Sequence, residues 1–525
     1  MNPETSVHRQ RIAKLREVLT REGIYALLVP SADPHLSEYL PERWQARQWL
    51  SGFTGSMGTL VVTLTQAVLF ADSRYWVQAD VELAGSGIAL EKITGNANSH
   101  VTWLATHVPA GQCVAVDGQV LGLAAAAGLK TALAGAGVQL RTDRDFIDAI
   151  WPARPSLPTA AVYAHCAPHA AVTRATKFAD VRAAMIQQGA TNHFISTVDD
   201  IAWITNLRGA DVSYNPVFLA HLLLEIDRAT LFVADGKIDP ALRATLANDG
   251  LQLAPYAQIA AALQTLPASA VLLLDPKRVT YGLREQVGTQ VRVVEAINPS
   301  TLLKSRKTAQ EAAYIRAAMI EDGAAMCEFY AAFEAALGTS HVTELTVDEL
   351  LAAARARRPG FVGLSFPTIA GFKANGAMPH YRATKDSHAV IEGDGMLLID
   401  SGGQYLGGTT DITRVWAIGQ VSAAMKRDYT LVLKGTMALS RAKFPRGTLS
   451  PMLDALARAP LWDEGLDFGH GTGHGVGYFL NVHEGPQSIS KAIPEAHMAM
   501  EPGMVTSIEP GVYRAGQWGD RKSVV

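Results

Sequence analysis

The chain has 525 residues, too many for one ordinary domain, and its 48% hydrophobic against 18% charged residues exclude a disordered chain. Lys+Arg 46 against Asp+Glu 49 gives a formal net charge of −3 with no basic run, which argues against a nucleic-acid partner. Cys113, Cys166 and Cys327 are too few and scattered for a disulfide framework, and no stretch of about eighteen residues is apolar enough to span a membrane, so a soluble cytoplasmic protein is expected.

From the N-terminus, MNPETSVHRQRIAKLREVLTREG is charged and helical in pattern, without the apolar core of a signal peptide. Ile12–Gly23 (IAKLREVLTREG) aligns with Phe178–Gly189 (FADVRAAMIQQG), placing Arg16 over Arg182 and Gly23 over Gly189 at the expected helix C-caps. Short apolar strands follow, ALLVPSADP and HFISTVDDI, with Asp33 over Asp199. WLSGFTG and WITNLRG come next, and each precedes a β-rich hairpin, GTLVVTLTQAVLFADSRY in one copy and PVFLAHLLLEIDRATLFVAD in the other. Four matches in one order predict two α/β domains of one fold, joined through the proline-rich WPARPSLPTAAV.

Near Lys304 the pattern changes. KTAQEAAYIRAAMIEDGAAMCEFYAAFEAAL predicts a long amphipathic helix, with Thr308 and Glu311 as a capping box. In MLLIDSGGQYLGGTTDITRVW, Asp400 ends one apolar strand and Asp411 is expected within a second. Either aspartate alone reads equally well as a turn cap, but a carboxylate in so apolar a strand costs several kcal/mol to bury unless paired or metal-bound. FGHGTGHGVGYFLNVHEGP adds His470, His474 and His483 among glycines that let backbone approach a ligand closely. ANGAMPHYRAT brings His380 in a loop, and MVTSIEPG is expected to be a strand ending in Glu509. Two aspartates, an imidazole and a glutamate cannot share an apolar site as bare charges, because each carboxylate raises its neighbours' pKa. Divalent cations resolve this: such a set suits Mn²⁺, Co²⁺, Zn²⁺ or Fe²⁺, and bridging carboxylates suit a pair of ions that activates water for hydrolysis.

DSGGQYLGGTTDITR, HGTGHGVGYFLNVHEGP and SIEPGVYR, in this order, resemble the catalytic domain of the Xaa-Pro aminopeptidase (aminopeptidase P) family. SADPHLSEYLPERWQARQWLSGFTGS and ADSRYW resemble its three-domain cytosolic form, so the resemblance runs from about residue 8 to residue 521. It implies fold class α/β (α+β): a creatinase-type N-terminal domain over 1–158, a second over 159–303, and a pita-bread catalytic domain over 304–525. It implies two divalent ions, Mn²⁺ with Zn²⁺ or Co²⁺ as alternatives, bound by Asp400, Asp411, His474, Glu509 and a second glutamate. The implied reaction releases the first residue of peptides with proline second, through a hydroxide held by the metals, and the implied assembly is a homodimer. His380 and His483 are implied to bind substrate and steady the tetrahedral intermediate, and Glu509 to act as general base. Arg74 matches a substrate-contacting position, although an arginine at a strand end is common without one, and His470 is expected nearby but not as a ligand.

The chain departs from the family at Trp-Gly-x-Arg-x-Glu. Trp518, Gly519 and Arg521 match, but Ser523 stands at the glutamate position, and Asp520 should point to the opposite strand face. Four of the five ligands are present, the catalytic domain is expected to be C-terminally incomplete, and the activity of this chain is expected to suffer. Two alternatives stay open: a prolidase, with the same fold and ligands but acting on dipeptides, and a catalytically dead pita-bread binding protein.

Overall fold

The computed structural model describes residues 7–94 and 98–525, so the first six residues of the expected N-terminal helical segment lie outside it. The described residues form two compact bodies. One comprises Ser300–Val525 with the short segments His165–Ala171 and Tyr214–Pro216, and the other comprises the remaining chain up to Pro299.

The N-terminal body holds two six-stranded sheets, and each, counted within its own copy, has the strand order 4-3-2-1-5-6. The central strands Ala26–Pro30, Thr59–Thr63 and Ala67–Ala71 are apolar runs buried on both faces, as expected when helices cover both sides of a sheet. The sequence repeat has a physical basis in matching contacts. Arg16 Nε donates to Thr63 O at 2.9 Å, and its counterpart Arg182 donates to Glu225 O at 2.7 Å, each locking a helix onto the end of its second strand. Gly23 and Gly189 sit at φ 68° and 72°, the left-handed caps that stop those helices. The helices Ala46–Ser51 and Val198–Thr205 end in the same conformation, at Gly52 in one copy and Asn206 in the other. Asparagine tolerates this region where most side chains do not, which is why WLSG and WITN align.

In the C-terminal body the helix Ala309–Ala336 begins with the expected capping box between Thr308 and Glu311. It buries Ala325, Met326, Phe329 and Phe333 at helical spacing against the strands Ile369–Phe372, Gly395–Ser401 and Ile412–Ile418, and its earlier Ile315 and Ala318 lie against Gly408. Asp322, on the same face, accepts from Arg355 Nε at 2.6 Å, Tyr405 OH at 2.9 Å and Thr410 Oγ1 at 2.8 Å. This buried hub joins two helices to the hairpin that delivers Asp411. Two strand assignments are corrected. Asp411 stands one residue ahead of the strand Ile412–Ile418 rather than inside it. The segment before Glu509 is not a continuous strand; it makes isolated bridges, Thr506 to Gly475 and Ile508 to Val524, because its neighbours on either side are short. Among the described residues no helix is long and apolar enough to cross a membrane.

His193 is fully buried in the second sheet, donating from Nδ1 to Leu273 O at 3.0 Å, and burial pushes its pKa down to about 4 against that bond. The unfolded chain therefore binds a proton that the folded chain refuses, so stability falls as pH drops from 6.5 through 4, by about 3 kcal/mol in all. His193→Leu is expected to flatten the acid limb of the melting temperature in this range; an unchanged limb would locate the acid sensitivity elsewhere.

Candidate metal centre

Asp411, His474 and Glu509 reach one point from three segments, with one donor atom from each lying within 4.8 Å of the others. His474 Nε2 is 2.9 Å from Glu509 Oε1 and 3.4 Å from Asp411 Oδ2, yet it makes no aligned hydrogen bond, and Asp411 Oδ1 is buried without a partner. The other ring nitrogen, Nδ1, donates to Gly475 O at 2.9 Å, which turns Nε2 toward the carboxylates.

The local backbone explains the convergence. His474 and Ser507 pair through Ser507 N to His474 O at 2.8 Å, and Glu509 N reaches Thr472 O at 2.6 Å. A Cβ on Gly473 would lie 1.9 Å from Ser507 O, so only glycine allows this approach. Ser507 Oγ then donates to Glu509 Oε1 at 2.6 Å and fixes the carboxylate.

The electrostatics ask for a cation. Burial opposes an imidazolium at His474, but Glu509 and Asp411 beside it hold its pKa well above the usual histidine range. Burial alone would raise Glu509, but the facing His474 holds it below the usual carboxylate range. A positive charge is thus favoured at the meeting point, and a buried orphan oxygen, an aimed imidazole nitrogen and a fixed carboxylate fit a divalent ion there.

Asp400 is arranged differently. Its Oδ1 accepts from Thr413 Oγ1 at 2.7 Å, and its Oδ2 is in ion-pair contact with Arg521 Nη2. Burial pushes the Asp400 pKa up to about 6; Arg521 opposes the rise, while Asp411 and Glu509 add to it. Arg521 also donates to Pro379 O at 3.0 Å and Tyr513 OH at 3.3 Å, which brings the loop of His380 beside the acids. His483 stands edge-on to His474, with ring centroids 4.3 Å apart. His470 lies behind, bonded to Tyr513 OH at 2.8 Å and without a place in the three-residue cluster.

Arg74 belongs to the N-terminal body, where its guanidinium forks onto Asp72 at 2.8 Å on both oxygens. Residues that pattern reading passed over include Thr413, which faces Asp400 directly across the strand pair, and the Gln404–Thr409 pair. Gln404 Nε2 holds Leu480 O at 2.8 Å and Thr409 Oγ1 holds it at 3.1 Å, bracing the loop that leads to His483. The strand register could have exposed Thr413; nothing local in GGQYLGGTT announces the brace.

Comparison with known proteins places this geometry. The profile of metallopeptidase family M24 matches residues 313–523, and two profiles of the creatinase/prolidase N-terminal domain match 11–145 and 153–311. A probable Xaa-Pro aminopeptidase P of Neosartorya fischeri is 36% identical over 99% of this chain and 81% of its own length. Its counterpart in Verticillium alfalfae is 37% identical over 97% and 85%. The crystal structure of the X-prolyl aminopeptidase of Caenorhabditis elegans, described as a cytosolic enzyme with a di-nuclear active site, superposes with a TM-score of 0.93. It is 30% identical, over 99% of this chain and 87% of that one.

His474→Ala should weaken divalent-cation binding at the cluster by at least about 100-fold, because a direct ligand is worth more than a supporting one. Isothermal titration with MnCl₂ reads this directly; an unchanged isotherm would remove His474 from the ligand set.

Proposed function

This chain belongs to the Xaa-Pro aminopeptidases of metallopeptidase family M24, and we propose that it releases the N-terminal residue from peptides with proline in second position. The observation that carries this is the meeting of Asp411, His474 and Glu509 beside His483 and the His380 loop, in a chain that matches aminopeptidases P along its whole length. A Bacillus anthracis Xaa-Pro dipeptidase shares the fold over only 67% of the chain.

Asp411, His474 and Glu509 would hold one divalent ion, and Asp400 would serve a second. The oxygen-rich donor set favours Mn²⁺, with Zn²⁺ or Co²⁺ as alternatives. When bound, the metal supplies Lewis-acid activation of water and of the scissile carbonyl. Glu509, fixed by Ser507, takes the proton from the attacking water and passes it to the prolyl nitrogen. The C–N bond then breaks, and the shortened peptide leaves with a secondary amine at its new terminus. His483 and His380 donate to the carbonyl oxygen as it gains charge, so their contacts strengthen toward the transition state. The braced Leu480 carbonyl keeps the His483 loop from moving during this step. We further propose a homodimer working in the cytosol.

With excess MnCl₂, the chain should release the first residue of an Xaa-Pro-Xaa tripeptide and cleave the Xaa-Ala-Xaa analogue at least roughly 100-fold more slowly. Equal rates would indicate a general aminopeptidase, and cleavage restricted to Xaa-Pro dipeptides would indicate a prolidase. Asp411→Ala should abolish turnover with little change in melting temperature; retained turnover would exclude Asp411 from the centre.

A further inference from the structure

We infer that the two metal positions of this chain are unequal: Asp411, His474 and Glu509 hold one divalent ion tightly, and the position beside Asp400 binds its ion far more weakly because Ser523 brings no carboxylate to it. The second position is taken from the family reading; the first stands on geometry alone.

Ser523 is only 2% exposed, and its hydroxyl is committed to the backbone. It accepts from Thr413 N at 2.6 Å and donates to Asp411 O at 3.3 Å. The backbone around it is held as well, since Ser523 O accepts from Arg414 Nη1 at 2.9 Å and Val524 pairs both ways with Ile508. The residue is therefore seated between the segments that carry Asp400, Asp411 and Glu509. It offers that junction a neutral group where a carboxylate would offer charge and a bridge. Hard divalent ions discriminate strongly between the two.

No neighbour compensates. Asp520 spends both oxygens on Lys522 Nζ, each at 2.6 Å, as the alternation of side chains along the strand requires. Asp400 already receives Thr413 on one oxygen and Arg521 on the other, and the Arg521 guanidinium repels a dication placed next to it. Three carboxylates facing one guanidinium suffice for one dication and are poor in charge for two. The tight position differs in two ways: it has a buried orphan oxygen on Asp411, and its acids face His474, itself a donor side chain, rather than a guanidinium.

The test uses the full chain, stripped with a chelator, titrated calorimetrically with MnCl₂, and assayed for metal by mass spectrometry after gel filtration. One Mn²⁺ per chain should survive filtration, with the second binding at least about ten-fold more weakly. Ser523→Glu should tighten the second ion by at least about ten-fold and the first by less, whereas Ser523→Ala should change neither. Two equally tight ions in the unaltered chain would overturn the inference, as would weakening of the second ion by Ser523→Ala or an unaltered isotherm in folded Ser523→Glu. If Ser523→Glu does not fold, the unaltered chain and Ser523→Ala decide. One tight ion without Xaa-Pro cleavage would refute the proposed activity and leave the inequality standing; two tight ions with cleavage would do the reverse.

Discussion

Carboxylates buried within a few ångströms of one another cannot all stay ionised without a compensating positive charge, and the C-terminal body is organised around that constraint. Asp411 and Glu509 favour a proton on His474, and Asp400 takes the guanidinium of Arg521. These two solutions differ in kind. The first is a mobile charge that a metal ion can replace. The second is a covalent part of the chain, pinned to Pro379 and Tyr513 as well as to the acid.

Holding such a cluster requires support from ordinary packing. Asp322 lies on the buried face of a long helix and gathers Arg355, Tyr405 and Thr410, the last of these adjacent in sequence to Asp411. Gln404 and Thr409 extend the same hairpin toward Leu480 and thus toward His483. The segments that carry Asp411 and His483 are therefore anchored through neighbouring residues of the same hairpin and loop. Loss of Arg355 would strand Asp322 as a buried uncompensated charge, and the hairpin delivering Asp411 would lose its anchor with it.

Much of this was legible in the residues. The internal repeat showed because its cap and strand-end contacts are made by the same residue types in both copies, Arg16 with Arg182 and Gly23 with Gly189. The candidate ligands showed because a carboxylate or a cluster of histidines in an apolar, glycine-rich stretch is costly to bury unless a cation or a partner holds it. What stayed hidden depends on long-range register. That Asp411 precedes its strand, and that Glu509 follows isolated bridges, reflects pairing with segments far along the chain, which local alternation does not encode. The commitment of Asp400 to Arg521 and of Ser523 to Thr413 likewise appears only once strands 121 and 110 residues apart in sequence are side by side.

The central claim is that the acids and imidazole of the C-terminal body are arranged for a divalent ion. Anomalous diffraction at the manganese absorption edge, from crystals grown with MnCl₂, tests it most directly. The account predicts a strong peak about 2.0–2.3 Å from donor atoms of Asp411, His474 and Glu509 together. A fully ordered cluster with no anomalous density among these three side chains would contradict it.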